Sequence, residues 1–479
     1  MSVQEHDGRT PGGEGELRHG CGVVGVFGVK RAAEHVYAGL YALQHRGQES
    51  AGIVASDGSG IQSAKGLGLL TEAIKQDDLR GLPGHIAVGH VRYSTTGAKR
   101  VQNIQPLVIE YSQGIVAIAH NGNLTNARTL RELYESRGSI FQTSTDSEIF
   151  VHLLADPEHI GIADPLGECL KHVRGAYSLL MMTASRLLAA RDPMGFRPLS
   201  LGELADGYVV ASETCAFDLL GAKYIRDVEP GEIVSIDAGG LRSWRFAEQR
   251  PHRCAQCIFE HIYFARPDSM VFGETVHSVR VRLGEHLAET YPVEADIVIS
   301  VPHSGDSAAL GYSRRSGIPL ECGFVSNRYV GRTFITPPEE NRSASVEIKL
   351  NVVKDVVRGK RLVVVDDSIV RGTTCRARLS MLRRMGAREL HMRISAPPIR
   401  FPCFFGIDFP HSEDLIAADH SVEEIRSFLG VDTLGYQTVE GLLAAVSGPK
   451  EDYCMACFTG EYPLAVSENM DRLAMERRT

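Results

Sequence analysis

The sequence predicts two domains of different class, an α+β domain followed by an α/β domain with a parallel sheet. Between about residues 175 and 240, short apolar runs alternate with turn residues, as in GAYSLLMM and GEIVSID, which is typical of an antiparallel sheet with few helices. From residue 254 onward, strand-like runs alternate with loops and helical spacing, as in ADIVISVPHSGDSAALGY, and the run GIPLECGFV at 317–325 predicts a further strand of the sheet. The β-branched run at 363–365 indicates a strand buried on both faces, as parallel strands are. We place the domain boundary near residue 250, with the connection between the domains expected at 243–253, which gives domains 21–250 and 251–479.

The composition is that of a globular enzyme and excludes several classes of partner. The chain has 479 residues, enough for sizeable cores, and 43% of them are hydrophobic. Its 51 Lys and Arg residues against 59 Asp and Glu residues give a formal net charge of -8, so no broad basic surface for nucleic acid is expected. No apolar stretch approaches a membrane span, and the N-terminus lacks a signal core, so we expect a cytoplasmic protein. In that reducing compartment, the ten cysteines are not expected to form disulfides.

The N-terminal segment changes character abruptly at Cys21. Residues 1–20 are polar and contain five glycines, as in a tail or a propeptide, whereas CGVVGVFG begins an apolar strand. A free cysteine in such a strand is commonly a buried structural residue. If residues 1–20 are removed, however, Cys21 carries a thiol and an α-amine that is partly free base near neutrality. Nucleophile and base would then belong to one residue.

A second candidate site is the string RLVVVDDSIVRGTT at 361–374. Its strand ends on Asp366 and Asp367, whose carboxylates suit Mg²⁺ or ribose hydroxyls. Gly372 and the threonines that follow lie where the next helix should begin, which suits a phosphate. Taken alone, the pattern is also consistent with a buried strand that ends in a solvated turn.

The complete string resembles the loop of type I phosphoribosyltransferases that binds phosphoribosyl pyrophosphate (PRPP), and is most similar to the amidophosphoribosyltransferase family. That family makes 5-phosphoribosylamine from PRPP and glutamine, in the first committed step of purine synthesis. The resemblance implies that PRPP is bound by Ser368, Arg371, Gly372, Thr373 and Thr374. It also implies one Mg²⁺ per subunit at Ser304 of the loop VPHSG, Asp366 and Asp367.

The first half of the chain resembles class II glutamine amidotransferases in five segments: LQHRGQESAGI, GHVRYSTTG, AHNGNLTN, STDSE and DPMGFRPL. The resemblance implies the layered αββα fold of N-terminal nucleophile hydrolases, with Cys21 as the nucleophile. Arg92 would bind the α-carboxylate of glutamine, and Asp146 its α-amino group. Asn121 and the N–H of Gly122 would form the oxyanion hole. The alternatives are a plain turn at 121–122 and a surface ion pair at Arg92, and for His45 and His90 we expect structural roles.

The stretch 327–351 is similar to the family's mobile loop, with Arg332 and Lys349 as phosphate partners. The alternative is a solvated surface loop. Two positions depart from the family pattern, because His303 stands where Asp is common and Glu347 where a basic residue is common. Both lie beside the expected path of the pyrophosphate.

The cysteines support two interpretations. Two CxxC pairs, at 254/257 and 454/457, are typical of a four-thiolate Zn²⁺ or iron site. The resemblance instead implies a structural [4Fe–4S] cluster, one per subunit, held by Cys257, Cys403, Cys454 and Cys457. Cys403 lies in the apolar context FPCFFG, whereas Cys254 lies in a polar connection, which favours the second set.

The resemblance also implies partners: glutamine and PRPP as substrates, purine nucleotides as feedback inhibitors, and a homotetramer. Two alternatives remain at this point. One is a glutamine-dependent transferase acting on another phosphoribosyl acceptor. The other is a regulator that senses PRPP or purines, although a sensor has no use for an intact glutaminase site.

Overall fold

The computed structural model describes residues 20–93, 100–247, 253–326, 350–408 and 411–466. Within them, the first domain consists of two stacked antiparallel sheets covered by helices. Its strands are β1 Gly22–Phe27, β2 Ser50–Ser56, β3 Ile61–Leu67, β4 Ile86–Arg92, β5 Leu107–Tyr111, β6 Gly114–Leu124, β7 Gly175–Met182, β8 Leu187–Arg191, β9 Ser200–Leu204, β10 Gly207–Ala211, β11 Lys223–Asp227, β12 Glu232–Asp237 and β13 Gly240–Arg245. Its helices are α1 Ala32–Ala42, α2 Leu70–Ala73, α3 Gln76–Arg80, α4 Ala127–Ser136, α5 Glu148–Leu154, α6 Pro165–Lys171 and α7 Cys215–Leu220.

The strands are arranged in the order β11-β9-β10-β1-β4-β2-β3 in one sheet and β13-β12-β8-β7-β6-β5 in the other. Apolar side chains from both sheets, such as Val23 and Leu180, form a core between them. The outer face of the first sheet packs against α1 and α7, and that of the second against α4, α5 and α6. The predicted αββα architecture is therefore confirmed.

The second domain is built on a parallel sheet. Its strands are β14 Gln256–Cys257, β15 Met270–Val271, β16 Glu274–Thr275, β17 Ile297–Ser300, β18 Phe324–Ser326, β19 Leu350–Val352, β20 Arg361–Asp366, β21 Glu389–Ile394, β22 Thr433–Tyr436 and β23 Tyr453–Cys454. Its helices are α8 Val276–Thr290, α9 Asp306–Ser316, α10 Lys354–Val357, α11 Thr373–Arg384, α12 Ile416–Asp419, α13 Val422–Leu429, α14 Val439–Ala444 and α15 Ala456–Thr459, together with a π-helical turn at Glu260–Phe264.

The parallel sheet has the order β17-β20-β21-β22 and is packed on both faces. Residues 363–365 are buried in β20, as the sequence predicts. The carboxyl ends of β17 and β20 lie side by side, so the loop after each strand opens at the same edge of the sheet. This edge positions the second candidate site.

Two segments differ from the sequence prediction. The run 317–325 adds only an isolated bridge at Leu320 to the parallel sheet, and β18 pairs instead with β19 in a separate antiparallel ribbon. The predicted connection at 243–253 begins later, because residues 243–245 still belong to β13. Among the described residues, no helix is both long and apolar enough to cross a membrane.

Candidate functional site

Cys21 lies in the interior of the first domain, directly before β1. Its side chain is 5% exposed, and its Sγ lies 3.4 Å from the carbonyl oxygen of Tyr93. The Nε of Arg46 donates a hydrogen bond of 3.0 Å to the carbonyl oxygen of Cys21. Burial raises the pKa of the Cys21 thiol to about 11, although the positive charge of Arg92 acts in the opposite direction. The thiol is therefore protonated here, and its attack on a substrate requires a base.

Asn121, in β6, presents a buried amide beside Cys21. The residue is fully buried, and neither Nδ2 nor Oδ1 has a hydrogen-bond partner among the described residues. A Cβ built on Gly20 would lie 3.2 Å from Asn121 Oδ1, so the amide faces the backbone that leads into Cys21. Since an unpaired buried amide is unfavourable by about 1–3 kcal/mol, this group suits a ligand that supplies the missing partner. The alternative of a plain turn at 121–122 is wrong, because both residues lie inside a strand.

Gly122 permits close pairing of β6 with β7. Its φ is +152°, and a Cβ there would lie 2.0 Å from the carbonyl oxygen of Ala176. A larger residue would force the two strands apart next to Asn121. The glycine therefore fixes the backbone at which an oxyanion would bind.

A buried cation and a buried carboxylate complete the site. Arg92 is 3% exposed and Asp146 is 4% exposed, so the alternative of a surface ion pair at Arg92 is wrong. Both charges act on the Cys21 thiol, Arg92 lowering its pKa and Asp146 raising it. Asp146 Oδ2 accepts a hydrogen bond of 2.9 Å from the N–H of Leu124, which fixes the carboxylate. The fold thus brings together a thiol, an amide, a cation and a carboxylate from four separate segments.

Three polar side chains that sequence reasoning did not single out form a hydrogen-bonded group beside this site: Gln105, His120 and Ser147. Gln105 Nε2 donates to Ser147 Oγ over 3.0 Å, and its Oε1 accepts from the N–H of His120 over 2.7 Å. His120 Nδ1 lies 3.0 Å from Ser147 Oγ. His90 lies beside them, fully buried, and burial lowers its pKa to about 3. These histidines are structural and neutral.

The second candidate site is a cavity of about 340 Å³ at the carboxyl edge of the parallel sheet. Its lining includes the predicted residues Ser304, Asp366, Asp367, Ser368, Gly372 and Thr374. The departing residue His303 also lines it and lies 3.6 Å from Asp306. Arg371 pairs with Asp414, and neither Arg371 nor Thr373 is among the lining residues.

The cavity combines two carboxylates with a helix N-terminus. Asp366 and Asp367 are both buried, and burial together with the charge of Asp367 raises the pKa of Asp366 well above its usual range. Gly372, with φ +76°, turns the chain into the 12-residue helix α11. The first N–H groups of α11 suit a phosphate group, as does Thr374 Oγ1, which has no hydrogen-bond partner in the described part of the chain. A cation that neutralises the carboxylates would fit here, and Mg²⁺ takes its remaining ligands from water and substrate phosphates.

The four cysteines predicted to hold a cluster also lie together. Cys257 and Cys454 are register partners in the parallel pair β14 and β23. Burial raises the pKa of all four thiols, to about 11 for Cys257, and neighbouring thiols raise the pKa of Cys257, Cys454 and Cys457 further. Among the described residues, no group of three or more His, Cys, Asp and Glu side chains is arranged as it would be around a bound metal ion. Four thiols from three segments are the donor set that an iron–sulfur cluster takes.

Comparison with known proteins identifies the family of this chain. A model of the glutamine amidotransferase domain matches residues 90–218. The amidophosphoribosyltransferase of Bacillus subtilis is 49% identical over 458 residues, which cover 95% of this chain and 96% of the relative. The chain belongs to the amidophosphoribosyltransferase family. The family member of Archaeoglobus fulgidus is 48% identical over 452 residues, covering 93% of this chain and 98% of that protein.

Solved structures give the same result. The structure described as glutamine PRPP amidotransferase from B. subtilis complexed with ADP and GMP has a TM-score of 0.89 and 49% identity, and covers 94% of this chain and 99% of that one. As a family member, the chain is a glutamine-dependent enzyme of the first step of purine biosynthesis. Such a reaction has two halves, an amide hydrolysis and a phosphoribosyl transfer.

Several residues that line the cavity were not predicted, and Arg280 and His45 are two of them. Arg280 is 2% exposed and lines the cavity, and burial lowers its pKa to about 10. The sequence signal was available, because Arg280 occupies a core-facing position of α8 beside Val276, Val279 and Leu283. His45, for which a structural role was expected, reaches the same cavity from the first domain. Arg332, Lys349 and Glu347 lie outside the described residues.

Proposed function

We propose that this chain hydrolyses glutamine at Cys21 and transfers the ammonia to C1 of PRPP, releasing pyrophosphate and forming 5-phosphoribosylamine. The observation that carries the proposal is the buried set of Cys21, Asn121, Arg92 and Asp146. An amide hydrolase needs a nucleophile and a donor for the oxyanion, and an amino-acid substrate adds the need for one cation and one anion. A cavity suited to a phosphorylated sugar lies in the second domain.

Within the first domain, we propose that Arg92 holds the α-carboxylate of glutamine and Asp146 its α-amino group. Asn121 Nδ2 and the Gly122 N–H would donate to the oxyanion. The base is the α-amine of Cys21, which requires cleavage after Gly20 and therefore a propeptide of residues 1–20. The intact mass of protein isolated from cells tests this step, and a fully active enzyme that retains residues 1–20 would exclude it.

Within the second domain, we propose that Asp366, Asp367 and Ser304 hold one Mg²⁺ and ribose hydroxyls, and that 368–374 bind the 5-phosphate. Mg²⁺, when bound, would neutralise charge on the leaving pyrophosphate. Arg280 adds a fixed cation to the wall of the cavity. Arg332 and Lys349 in 327–351 would close over PRPP and exclude water, which competes with ammonia.

We further propose that Cys257, Cys403, Cys454 and Cys457 hold a [4Fe–4S] cluster with a structural role. The cluster would join three distant segments, because β14 pairs with β23 and the N–H groups of Arg400 and Phe401 donate to the carbonyl of Cys457. A positively charged group, Arg197, lies close enough to lower the pKa of Cys257 and Cys403, which suits bound thiolates.

Regulation and assembly are proposed from relatives. The B. subtilis structure is described as a complex with ADP and GMP, which supports purine nucleotides as ligands of this chain. A homotetramer and a cytoplasmic location remain proposals. Analytical ultracentrifugation with and without purine nucleotides tests the assembly.

The decisive experiment measures pyrophosphate release from PRPP by the purified protein with glutamine or with ammonium ion as the nitrogen source. The Cys21→Ala variant should lose only the glutamine-dependent reaction, and Asp367→Asn should lose both. Glutaminase activity should rise when PRPP is present. Turnover only with another phosphoribosyl acceptor would favour a different transferase, and binding of PRPP without turnover would favour a regulator.

A further inference from the structure

Four buried charged side chains connect the two domains between the Cys21 site and the cavity. Arg46, Arg197, Glu213 and Glu260 are each at most 1% exposed. Arg46 Nη1 donates to Glu213 Oε1 over 2.6 Å and to Glu260 Oε2 over 2.9 Å. Its Nη2 donates to Glu260 Oε1 over 2.8 Å, and Arg197 Nη1 donates to the same oxygen over 3.0 Å. Two guanidinium groups thus balance two carboxylates in the interior.

At one end, this network holds the nucleophile's own backbone. Arg46 Nε donates to the carbonyl oxygen of Cys21, so all three nitrogens of its guanidinium group are engaged. A lysine has the charge but not the planar fork of donors that reaches three acceptors at once. The position of the Cys21 backbone therefore depends on where Glu213 and Glu260 lie.

At the other end, the same carboxylates hold the wall of the cavity. Glu213 Oε2 accepts a hydrogen bond of 2.9 Å from the N–H of Arg266, and Glu213 Oε1 lies 2.8 Å from His45 Nε2. Glu260 begins the π-helical turn that leads into the wall segment 263–267. Both His45 and Arg266 line the cavity.

When one charged group in a buried network of this kind moves, its hydrogen-bonded partners must move with it. Each charged group is buried away from water, so only its partners in the network can compensate its charge. A ligand that shifts the wall segment moves Glu260 or the backbone held by Glu213, and Arg46 must follow to keep its hydrogen bonds. Because Arg46 also holds Cys21, the shift reaches the nucleophile.

We propose that Arg46 is a positioning residue that couples occupancy of the cavity to the alignment of Cys21, through Glu260 and Glu213. The inference rests on the proposed function and adds a route for communication that does not involve the segment 327–351. A coupling network differs from a purely structural ion network in one respect. A structural network would affect both activities and stability alike, whereas a coupling network selectively affects the response of glutamine hydrolysis to PRPP.

The test compares Arg46→Lys and Glu260→Gln with the unmutated protein and with the control Glu232→Gln. Glu232 is also buried in a bidentate pair, with Arg226 at 2.7 and 2.8 Å, but it belongs to β12 and contacts neither site. For each protein, glutamine hydrolysis is measured without PRPP and with saturating PRPP and Mg²⁺, and their ratio is the stimulation. Ammonia-dependent PRPP consumption and thermal unfolding are measured in parallel.

We expect the stimulation to fall about tenfold in Arg46→Lys and Glu260→Gln, within the usual range of coupling between sites. The KM for PRPP in the ammonia-dependent reaction should change much less, and Glu232→Gln should keep its stimulation. If Arg46→Lys does not fold, Glu260→Gln decides the outcome, since it leaves the contact between Arg46 and Cys21 in place.

Three results would overturn the inference: full stimulation in Arg46→Lys or Glu260→Gln, an equal loss in Glu232→Gln, or equal glutamine hydrolysis with and without PRPP in the unmutated protein. The first two results would leave the proposed function intact, and the third would remove only the expected stimulation by PRPP, not the proposed reaction. An unmutated protein that forms no product from PRPP with either nitrogen source would instead refute the proposed function.

Discussion

Replacement of Asn121 by alanine should separate catalysis from stability. The Asn121 amide is fully buried and has no hydrogen-bond partner among the described residues, so the folded protein loses no hydrogen bond when it is removed. In the reaction, the same amide is proposed to donate to the oxyanion that forms on the carbonyl of glutamine. Its contribution should therefore appear only in the transition state.

The expected changes in kcat and in the free energy of unfolding follow from the surroundings of the amide in the transition state and in the free folded protein. Loss of one oxyanion donor lowers kcat about 100- to 1000-fold, or about 3–4 kcal/mol. Removal of an unpaired buried amide relieves about 1–3 kcal/mol of desolvation. The cavity left by the shorter side chain offsets roughly 1 kcal/mol of that gain. We therefore expect a large loss of glutamine hydrolysis, with a free energy of unfolding that is unchanged or slightly higher.

The assay measures glutamine hydrolysis, ammonia-dependent PRPP consumption and urea unfolding for Asn121→Ala and for a matched control, Asn126→Ala. The Asn126 amide is hydrogen-bonded on both sides, to the carbonyl of His172 over 2.9 Å and to the N–H of Arg174 over 2.9 Å. The control should therefore be destabilised by about 1–2 kcal/mol while it keeps most of its glutaminase activity. Asn121→Ala should therefore lose activity but not stability, whereas Asn126→Ala should lose stability but keep most of its activity.

The reasoning is refuted if Asn121→Ala hydrolyses glutamine within about threefold of the unmutated rate, since the donor is expected to contribute far more. It is also refuted if the ammonia-dependent reaction falls in parallel, because Asn121 has no proposed role in phosphoribosyl transfer. A strongly destabilised Asn121→Ala protein would show that the amide has a partner in the folded state.

Three further predictions concern other parts of the molecule. Gly406→Ala should impair glutamine hydrolysis more than the ammonia-dependent reaction. The reason is that Gly406 has φ +101° and that a Cβ there would lie 3.2 Å from the backbone carbonyl carbon of Gly122. Steady-state kinetics with both nitrogen sources checks this. Anaerobically purified Cys403→Ser should lose iron and brown colour, whereas Cys254→Ser should keep about four iron atoms per chain; stoichiometric zinc in the unmutated protein would contradict the assignment. Burial lowers the pKa of His261 from 6.5 to about 4, so neutral His261 contributes stability that is present above pH 6.5 and lost as the pH falls toward 4. In His261→Leu, the loss of free energy of unfolding between pH 7 and pH 4 should therefore be smaller, by up to about 3 kcal/mol. Calorimetry at several pH values measures this, and a pH profile equal to that of the unmutated protein would disprove the burial argument.

Local sequence was sufficient for the classes of both domains, for Cys21 as a candidate nucleophile and for the strand-end motif of the second site. The alternation of short apolar runs predicts the antiparallel sheets because side-chain direction in a strand has a period of two, and the buried run at 363–365 predicts β20 because a parallel strand is covered on both faces. The chemistry of Asp366, Asp367 and Gly372 is also local, since a strand end, a turn and a helix start are adjacent in the chain. Resemblance supplied the roles of Arg92, Asn121 and Asp146, which no local pattern indicates.

Contacts between distant segments were decided only by the tertiary structure. The pairing of β18 with β19 outside the main sheet depends on which strand edge is free, a property of the assembled sheet. The placement of His45 in the cavity of the other domain depends on how the domains pack, as does the burial of Arg46 between Glu213 and Glu260. In the sequence, these charges are indistinguishable from surface residues. Only the exclusion of water, which requires the whole fold, turns them into a network that connects the two sites.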